Sequence, residues 1–177
     1  MPPTAATQSA LIIEIPTAEP AVGDLRAHYD RSASWGVPAH ITVLYPFLAP
    51  AALDTMVLSA VQDVVWSVPR FALALTRIGW FGDKVVYLTP DPPGPLHTLT
   101  AAISATFGIL PYAGAHPDDV PHLTVAHDQP LTVLRQVATQ VRRHLPIAAT
   151  ADHVTLITGR PEPGRTWQPH TTFPLGR

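Results

Sequence analysis

Apolar residues recur along this chain in two rhythms, one of period two and one near 3.6, and Pro and Gly clusters separate the segments. Short runs rich in β-branched residues predict strands at Ser9–Ile15, His40–Phe47, Phe71–Phe81, Lys84–Thr89, His122–Ala126, Asp152–Thr158 and Trp167–Leu175. Helical spacing predicts helices over residues 19–31, where Leu25 and Tyr29 are in phase, and over Ala51–Trp66 through Leu53, Val57, Val61, Val64 and Val65. The same spacing predicts helices over Pro95–Phe107 (Leu96, Leu99, Ile103, Phe107) and Leu131–Leu145 (Leu134, Val137, Val141, Leu145). Gly82-Asp83 joins two strands as a hairpin turn. Residues 1–8 read as a loose tail, and residues 108–121 as an irregular loop long enough to suggest a functional one.

Paired strands interleaved with helices predict an α+β fold built on antiparallel sheet, not a doubly wound parallel one. The two halves rhyme. Each holds a Pro-led strand of the form His-apolar-Thr-Val, then a proline, then a helix. That repetition implies a duplication, hence a two-lobed, pseudo-symmetric arrangement with helices outside and a cleft between the lobes. Residues 1–177 then form one bilobal domain.

Composition narrows the function. With 177 residues, 46% hydrophobic and 14% charged, the chain has material for a sizeable core. A formal net charge of −2 argues against an extended nucleic-acid groove, which would be basic, and favours a small substrate or the end of an RNA. The absence of cysteine removes disulfides, thiol nucleophiles and thiolate metal sites. No basic start followed by an apolar run opens the chain, and no apolar stretch approaches membrane length. A cytoplasmic monomer with no membrane association is the expectation.

Two segments carry chemistry: Pro38-Ala39-His40-Ile41-Thr42-Val43 and Pro121-His122-Leu123-Thr124-Val125. Residues i and i+2 of a strand share a face, so His40 lies beside Thr42 and His122 beside Thr124, with the intervening apolar residues turned into a core. Two imidazoles and two hydroxyls in one cleft suit in-line displacement at phosphorus. One His takes a proton from the attacking oxygen and the other gives one to the leaving oxygen, while the Thr hydroxyls donate to the non-bridging oxygens. The order of the two roles stays open at this level. The bare pattern also fits His153-Val154-Thr155-Leu156 and nearly fits His170-Thr171-Thr172-Phe173. The first two segments stand out by their preceding prolines and their matching places in the halves.

At these motifs the chain resembles the two-histidine (2H) phosphoesterase superfamily, the group of bacterial 2′-5′ RNA ligase-like proteins and cyclic phosphodiesterases. The resemblance rests on GVPAHITVLYPF (residues 36–47), PYAGAHPDDVPHLTVAH (residues 111–127) and TWQPHTTFPLG (residues 166–176), and in element order it runs from about residue 10 to 176. It implies a two-lobed fold with a central cleft, no metal and no cofactor. It also implies His40 and His122 as the acid–base pair with Thr42 and Thr124 as substrate ligands. The expected activity is opening of a nucleoside 2′,3′-cyclic phosphate or a related small phosphodiester. RNA end processing or 2′-5′ RNA ligation is the alternative, and a non-catalytic nucleotide or RNA-end binding module is the third.

The remaining candidates carry competing ordinary explanations. In an unbroken strand Tyr45 and Phe47 point away from His40, which favours core packing. Trp35, Trp80, Phe81 and Tyr112 lie beside turns, where an aromatic ring could stack on a base, though packing explains each. Zinc on His116, His122 and His127 would use a spacing that matches no known ligand pattern. Arg77, Arg160 and Arg165 could supply charge to a phosphate, and Arg135, Arg142 and Arg143 read as the solvated face of a helix.

Overall fold

In the computed structural model, which describes residues 5–115, 119–164 and 166–177, the chain forms two antiparallel four-stranded sheets. The first has the order β2 (His40–Leu44), β1 (Gln8–Glu14), β7 (His153–Gly159), β8 (Gln168–Pro174). The second has the order β5 (Leu123–His127), β4 (Val85–Asp91), β3 (Phe71–Phe81), β6 (Ile147–Ala151). The helices are α1 (Glu19–Tyr29), α2 (Arg31–Ser34), α3 (Thr55–Trp66), α4 (Gly94–Phe107) and α5 (Leu131–Arg142).

The two sheets repeat one plan. In each, the strand bearing the His-apolar-Thr motif lies at an edge, next to the strand that precedes it in the chain, and the intervening connection is helical. Those helices cross over: α1 packs on β5 of the second sheet, and α4 packs on β2 of the first. Each motif strand is thus backed by the helix from the other half. Thr100 on α4 ties the halves together by donating to the Val43 carbonyl at 3.0 Å, in a buried setting.

One core runs through both halves. Ile41, Val43, Leu11, Ile13, Val154 and Leu156 supply it from the first sheet, and Leu75, Val86, Leu88, Leu123 and Val125 from the second. Val61 and Val65 of α3, Leu99 and Ile103 of α4 and Val137 and Val141 of α5 complete it. The helical phases expected for α3, α4 and α5 are those that point inward. The other face of the first sheet carries a small separate cluster: Ala10, Ile12, Val37, Ile157 and Trp167, with Trp35 and Tyr45 packed against it.

Several boundaries differ from expectation, each for a physical reason. Ordered pairing begins before Ser9, because the Thr7 amide already donates to the Gly159 carbonyl and Gln8 pairs with Gly159; residues 1–4 of the expected tail lie outside the described residues. β2 stops at Leu44, and Pro46, which has no N–H, could not extend its ladder. The β3–β4 turn takes Gly82, Asp83 and Lys84, with Gly82 at φ 56°. The helix expected to reach Leu145 ends at Arg142, and the strand β6 follows unannounced. Its sequence IAATA is weak in β-formers, and the pairing of Phe71–Leu75 with Ile147–Ala151 places it.

Candidate active site

The cleft lies where the two edge strands β2 and β5 approach each other. Its volume is about 650 Å³, and His40, Thr42, His122 and Thr124 all line it. That size suits a nucleotide-like ligand. In the cross-strand register His40 stands opposite Glu14, Thr42 opposite Ile12, and Thr124 opposite Tyr87. Side chains stand off the two faces of a strand alternately, and the His and Thr of each motif stand off the face that lines the cleft.

The two imidazoles are held alike. His40 Nδ1 lies 2.8 Å from the Pro38 carbonyl oxygen, and His122 Nδ1 lies 2.7 Å from the Val120 carbonyl oxygen. A carbonyl only accepts, so in each ring Nδ1 carries the proton that it donates. In the neutral ring Nε2 is then the basic nitrogen, and in the cation it is the acid. The residue two positions before each histidine therefore sets its tautomer, which the repeated motif does twice.

Their surroundings differ. Burial is the largest influence on His40, and the nearby Arg26 guanidinium is the next; both disfavour the imidazolium and lower its pKa from 6.5 to about 4. The Pro38 hydrogen bond and the Asp30 carboxylate act the other way, more weakly, and His122 adds to the lowering. Arg26 is 2% exposed and is held by Asp30 through Nε at 3.1 Å and Nη2 at 2.9 Å. Its Nη2 also donates to Ser32 Oγ (3.0 Å) and the Val37 carbonyl (3.2 Å). Asp30 further accepts from the Ser32 amide (3.1 Å) and hydroxyl (2.8 Å), capping α2.

His122 is instead walled by aromatic rings. Phe81 meets it edge-on with centroids 4.9 Å apart, and Tyr87 lies 5.3 Å away. Tyr87 finds its place because Gly79, opposite it on β3, has no side chain: a Cβ there would come within 2.2 Å of the Tyr87 ring. Phe81, 37% exposed, remains on the cleft wall. Lys84 and His127 lie farther along that wall, and Arg31 on α2 reaches across to His127 (3.2 Å) and Asp128 (3.3 Å).

Tyr112 closes the other side. Burial raises the phenol's pKa, against a weaker opposing influence from the neighbouring Thr42 hydroxyl, so the group stays protonated over the working range. Its amide donates to the Tyr45 carbonyl at 2.6 Å, and its ring meets Tyr45 edge-on at 6.4 Å. Tyr112 and Ala113 take φ values of 51° and 54°, the left-handed region, at a cost of roughly 1–3 kcal/mol each for non-glycine residues.

The other sequence candidates fall mostly elsewhere. Thr155 stands in the row of Thr42 and Ile12, two strands away, but it is buried, donates to Glu14 Oε1 at 2.9 Å and does not line the cleft. His153 pairs with Asp152 outside it. Of the four aromatics beside turns, Phe81 and Tyr112 line the cleft, Trp35 packs into the small cluster, and Trp80 lies off the cleft. Tyr45, expected in the core, turns to that same cluster against Trp167 at 6.3 Å, while Phe47 enters the main core. Arg77 is exposed on β3, Arg160 pairs with Glu162, and Arg165 lies outside the described residues. His116 and Asp118 do too, and among the described residues no three His, Asp or Glu lie close enough to hold a metal ion. Arg26, Asp30, Ser32 and Lys84 belong to no motif that marks them in the sequence. The i, i+4 spacing of Arg26 and Asp30 was the available signal for the first two, but it reads equally as a surface pair.

The sequence pattern of the 2′-5′ RNA ligase superfamily matches residues 14–163. No curated protein matches the chain. Among solved structures it is similar to Escherichia coli LigT complexed with 3′-AMP, at 17% identity and a TM-score of 0.63 over 98% of this chain and 100% of that one. LigT complexed with NADP+ gives 18% identity and a TM-score of 0.61 over the same shares. TT0787 of Thermus thermophilus gives 17% and 0.59 over 94% of this chain and 97% of that one. These likenesses show a shared α+β fold.

Proposed function

The chain belongs to the 2′-5′ RNA ligase superfamily, and from that membership we propose that it is a metal-independent phosphodiesterase that opens a nucleoside 2′,3′-cyclic phosphate or a related small phosphodiester. The observation that carries this reading is the pair of histidines in one cleft, each with Nδ1 committed to the carbonyl two residues before it and Nε2 as its acid–base atom. The described residues act as one bilobal unit with this site at its waist.

The depressed pKa of His40 supports giving it the base role in hydrolysis and His122 the acid role. His40, held neutral by burial and Arg26, is the base. A water attacks phosphorus and passes its proton to His40 Nε2. The bond from phosphorus to one ribose oxygen breaks, and His122 Nε2–H delivers a proton to that oxygen. Thr42 and Thr124 donate to the non-bridging oxygens, where charge grows in the transition state. The product is a nucleoside monophosphate, and solvent restores the starting protonation of both rings. In the reverse direction the roles exchange.

The cleft favours a small substrate over an RNA body. Among the described residues Lys84 is the only lysine or arginine that lines it, and Asp30 and Asp119 line it as well. LigT has been crystallised with 3′-AMP and with NADP+, and a ligand of that size fits the volume here.

The test is turnover of a panel of 2′,3′-cyclic nucleoside monophosphates, followed by chromatography with EDTA present. Wild type should hydrolyse at least one, and His40→Ala and His122→Ala should each lose the activity by a factor of about 100 or more, on the order of what acid–base catalysis supplies. Activity abolished by EDTA, or retained in either variant, would defeat the mechanism. Turnover only of RNA ends, with a rate falling steeply in salt, would favour end processing or ligation instead. Tight nucleotide binding without turnover would favour a binding module.

A further inference from the structure

We propose that Tyr112 is a third phosphate ligand, its phenolic O–H donating beside Thr42 to a non-bridging oxygen of the bound phosphodiester. The inference rests on the phosphodiesterase reading above and adds a residue that lies outside both His-apolar-Thr motifs.

Three observations carry it. Tyr112 lines the same cleft as the two histidines, and Thr42, which lines it too, is near enough to act on the Tyr112 phenol. A phosphate oxygen placed to accept from Thr42 therefore lies within reach of the phenol. Each hydroxyl has one proton, so both can donate to an anion that enters between them. Next, the backbone is arranged to hold the phenol there. Tyr112 and Ala113 both sit at positive φ, with the Tyr112 amide tied to the Tyr45 carbonyl at 2.6 Å. Strain of this kind concentrates where geometry serves function. Lastly, the ring is fixed edge-on against Tyr45, which itself meets Trp167. The hydroxyl is thus presented on a rigid aromatic stack.

The proposal gives the cradle an asymmetry that the motifs lack: two hydroxyl donors on the His40 side, from Thr42 and Tyr112, against Thr124 on the His122 side. The simpler alternative is that Tyr112 only orients Thr42. A double-mutant cycle separates the two. Tyr112→Phe keeps the ring against Tyr45 and removes only the hydroxyl, so its unfolding midpoint should stay within about 4 °C of wild type. Its kcat/KM on 2′,3′-cyclic AMP should fall about 10- to 100-fold, the range for one hydrogen bond to a charged group. The same substitution in a Thr42→Val background should still cost at least several-fold. No loss in the first background, or none in the second, overturns the proposal. Binding of inorganic phosphate, measured by calorimetry, gives an independent reading. It should weaken in Tyr112→Phe, and wild-type affinity in that variant also overturns the proposal. His40→Ala and His122→Ala run alongside keep the two ideas apart. If those variants remain active, the phosphodiesterase mechanism fails whatever Tyr112 does. If they are inactive and Tyr112→Phe behaves as wild type, only the third ligand fails.

Discussion

Asp30→Asn should be among the most destabilising single changes near the cleft. The Arg26 and Asp30 side chains are 3% and 6% exposed, so their pair is buried and water cannot readily take the place of a lost partner. Asp30 Oδ2 accepts from Arg26 Nε and Nη2 and from Ser32 Oγ, while Oδ1 accepts the Ser32 amide. In asparagine one of these two positions becomes an NH₂ donor. Placed at Oδ2 it opposes the guanidinium, and placed at Oδ1 it opposes the Ser32 amide. Either way Arg26 keeps its charge in a buried place, with the Val37 carbonyl and Ser32 as neutral partners. Leaving a buried cation without its counter-charge costs about 3–5 kcal/mol. For a chain of 177 residues, at about 2–4 °C per kcal/mol, that is a fall of roughly 6–20 °C in the unfolding midpoint. Thermal unfolding by circular dichroism at pH 7 measures it. The double variant Arg26→Met with Asp30→Leu should recover much of the loss, because it removes the stranded charge together with its partner. A midpoint for Asp30→Asn within about 2 °C of wild type would refute the reasoning, since that is the behaviour of a solvent-exposed pair.

Because the free-enzyme pKa of His40 lies near 4, the acid limb of kcat/KM should fall as pH drops through about 4; a limb at 6.5 would mean that His40 is not the base, or is not shielded as described. The same depressed pKa means that the unfolded chain binds more protons between about pH 6.5 and 4, so the contribution of His40 to stability should decline as pH falls through that window, as pH-dependent melting would register. Gly79→Ala should displace the Tyr87 ring behind His122 and lower kcat/KM by about 10-fold or more, an effect of misplaced chemistry, and Tyr87→Val in the same chain should relieve the clash. Thr100→Val should cost about 1 kcal/mol, read by urea denaturation, by deleting the α4 bond to the Val43 carbonyl.

Which face of each motif strand is polar can be read from the residues alone. Alternation in His40-Ile41-Thr42-Val43 and His122-Leu123-Thr124-Val125 leaves one arrangement that buries the apolar residues, and that arrangement presents both histidines together with both threonines. The helical phases of α3, α4 and α5 were legible in the same way, because a single apolar stripe has one way to face a core. Long-range packing supplies the rest. Whether two polar faces meet depends on each motif strand lying at a sheet edge and on the crossing of α1 and α4, which are contacts between residues far apart in sequence. β6 exists because β3 offers it a ladder, not because IAATA prefers one. The difference between the two histidines is likewise absent from their nearly identical motifs. It comes from Arg26 and Asp30 on one side and from Phe81 and Tyr87 on the other, brought there by the packing of separate elements. A local pattern sets orientation through backbone periodicity, while desolvation and charge depend on what the whole fold brings within a few ångströms.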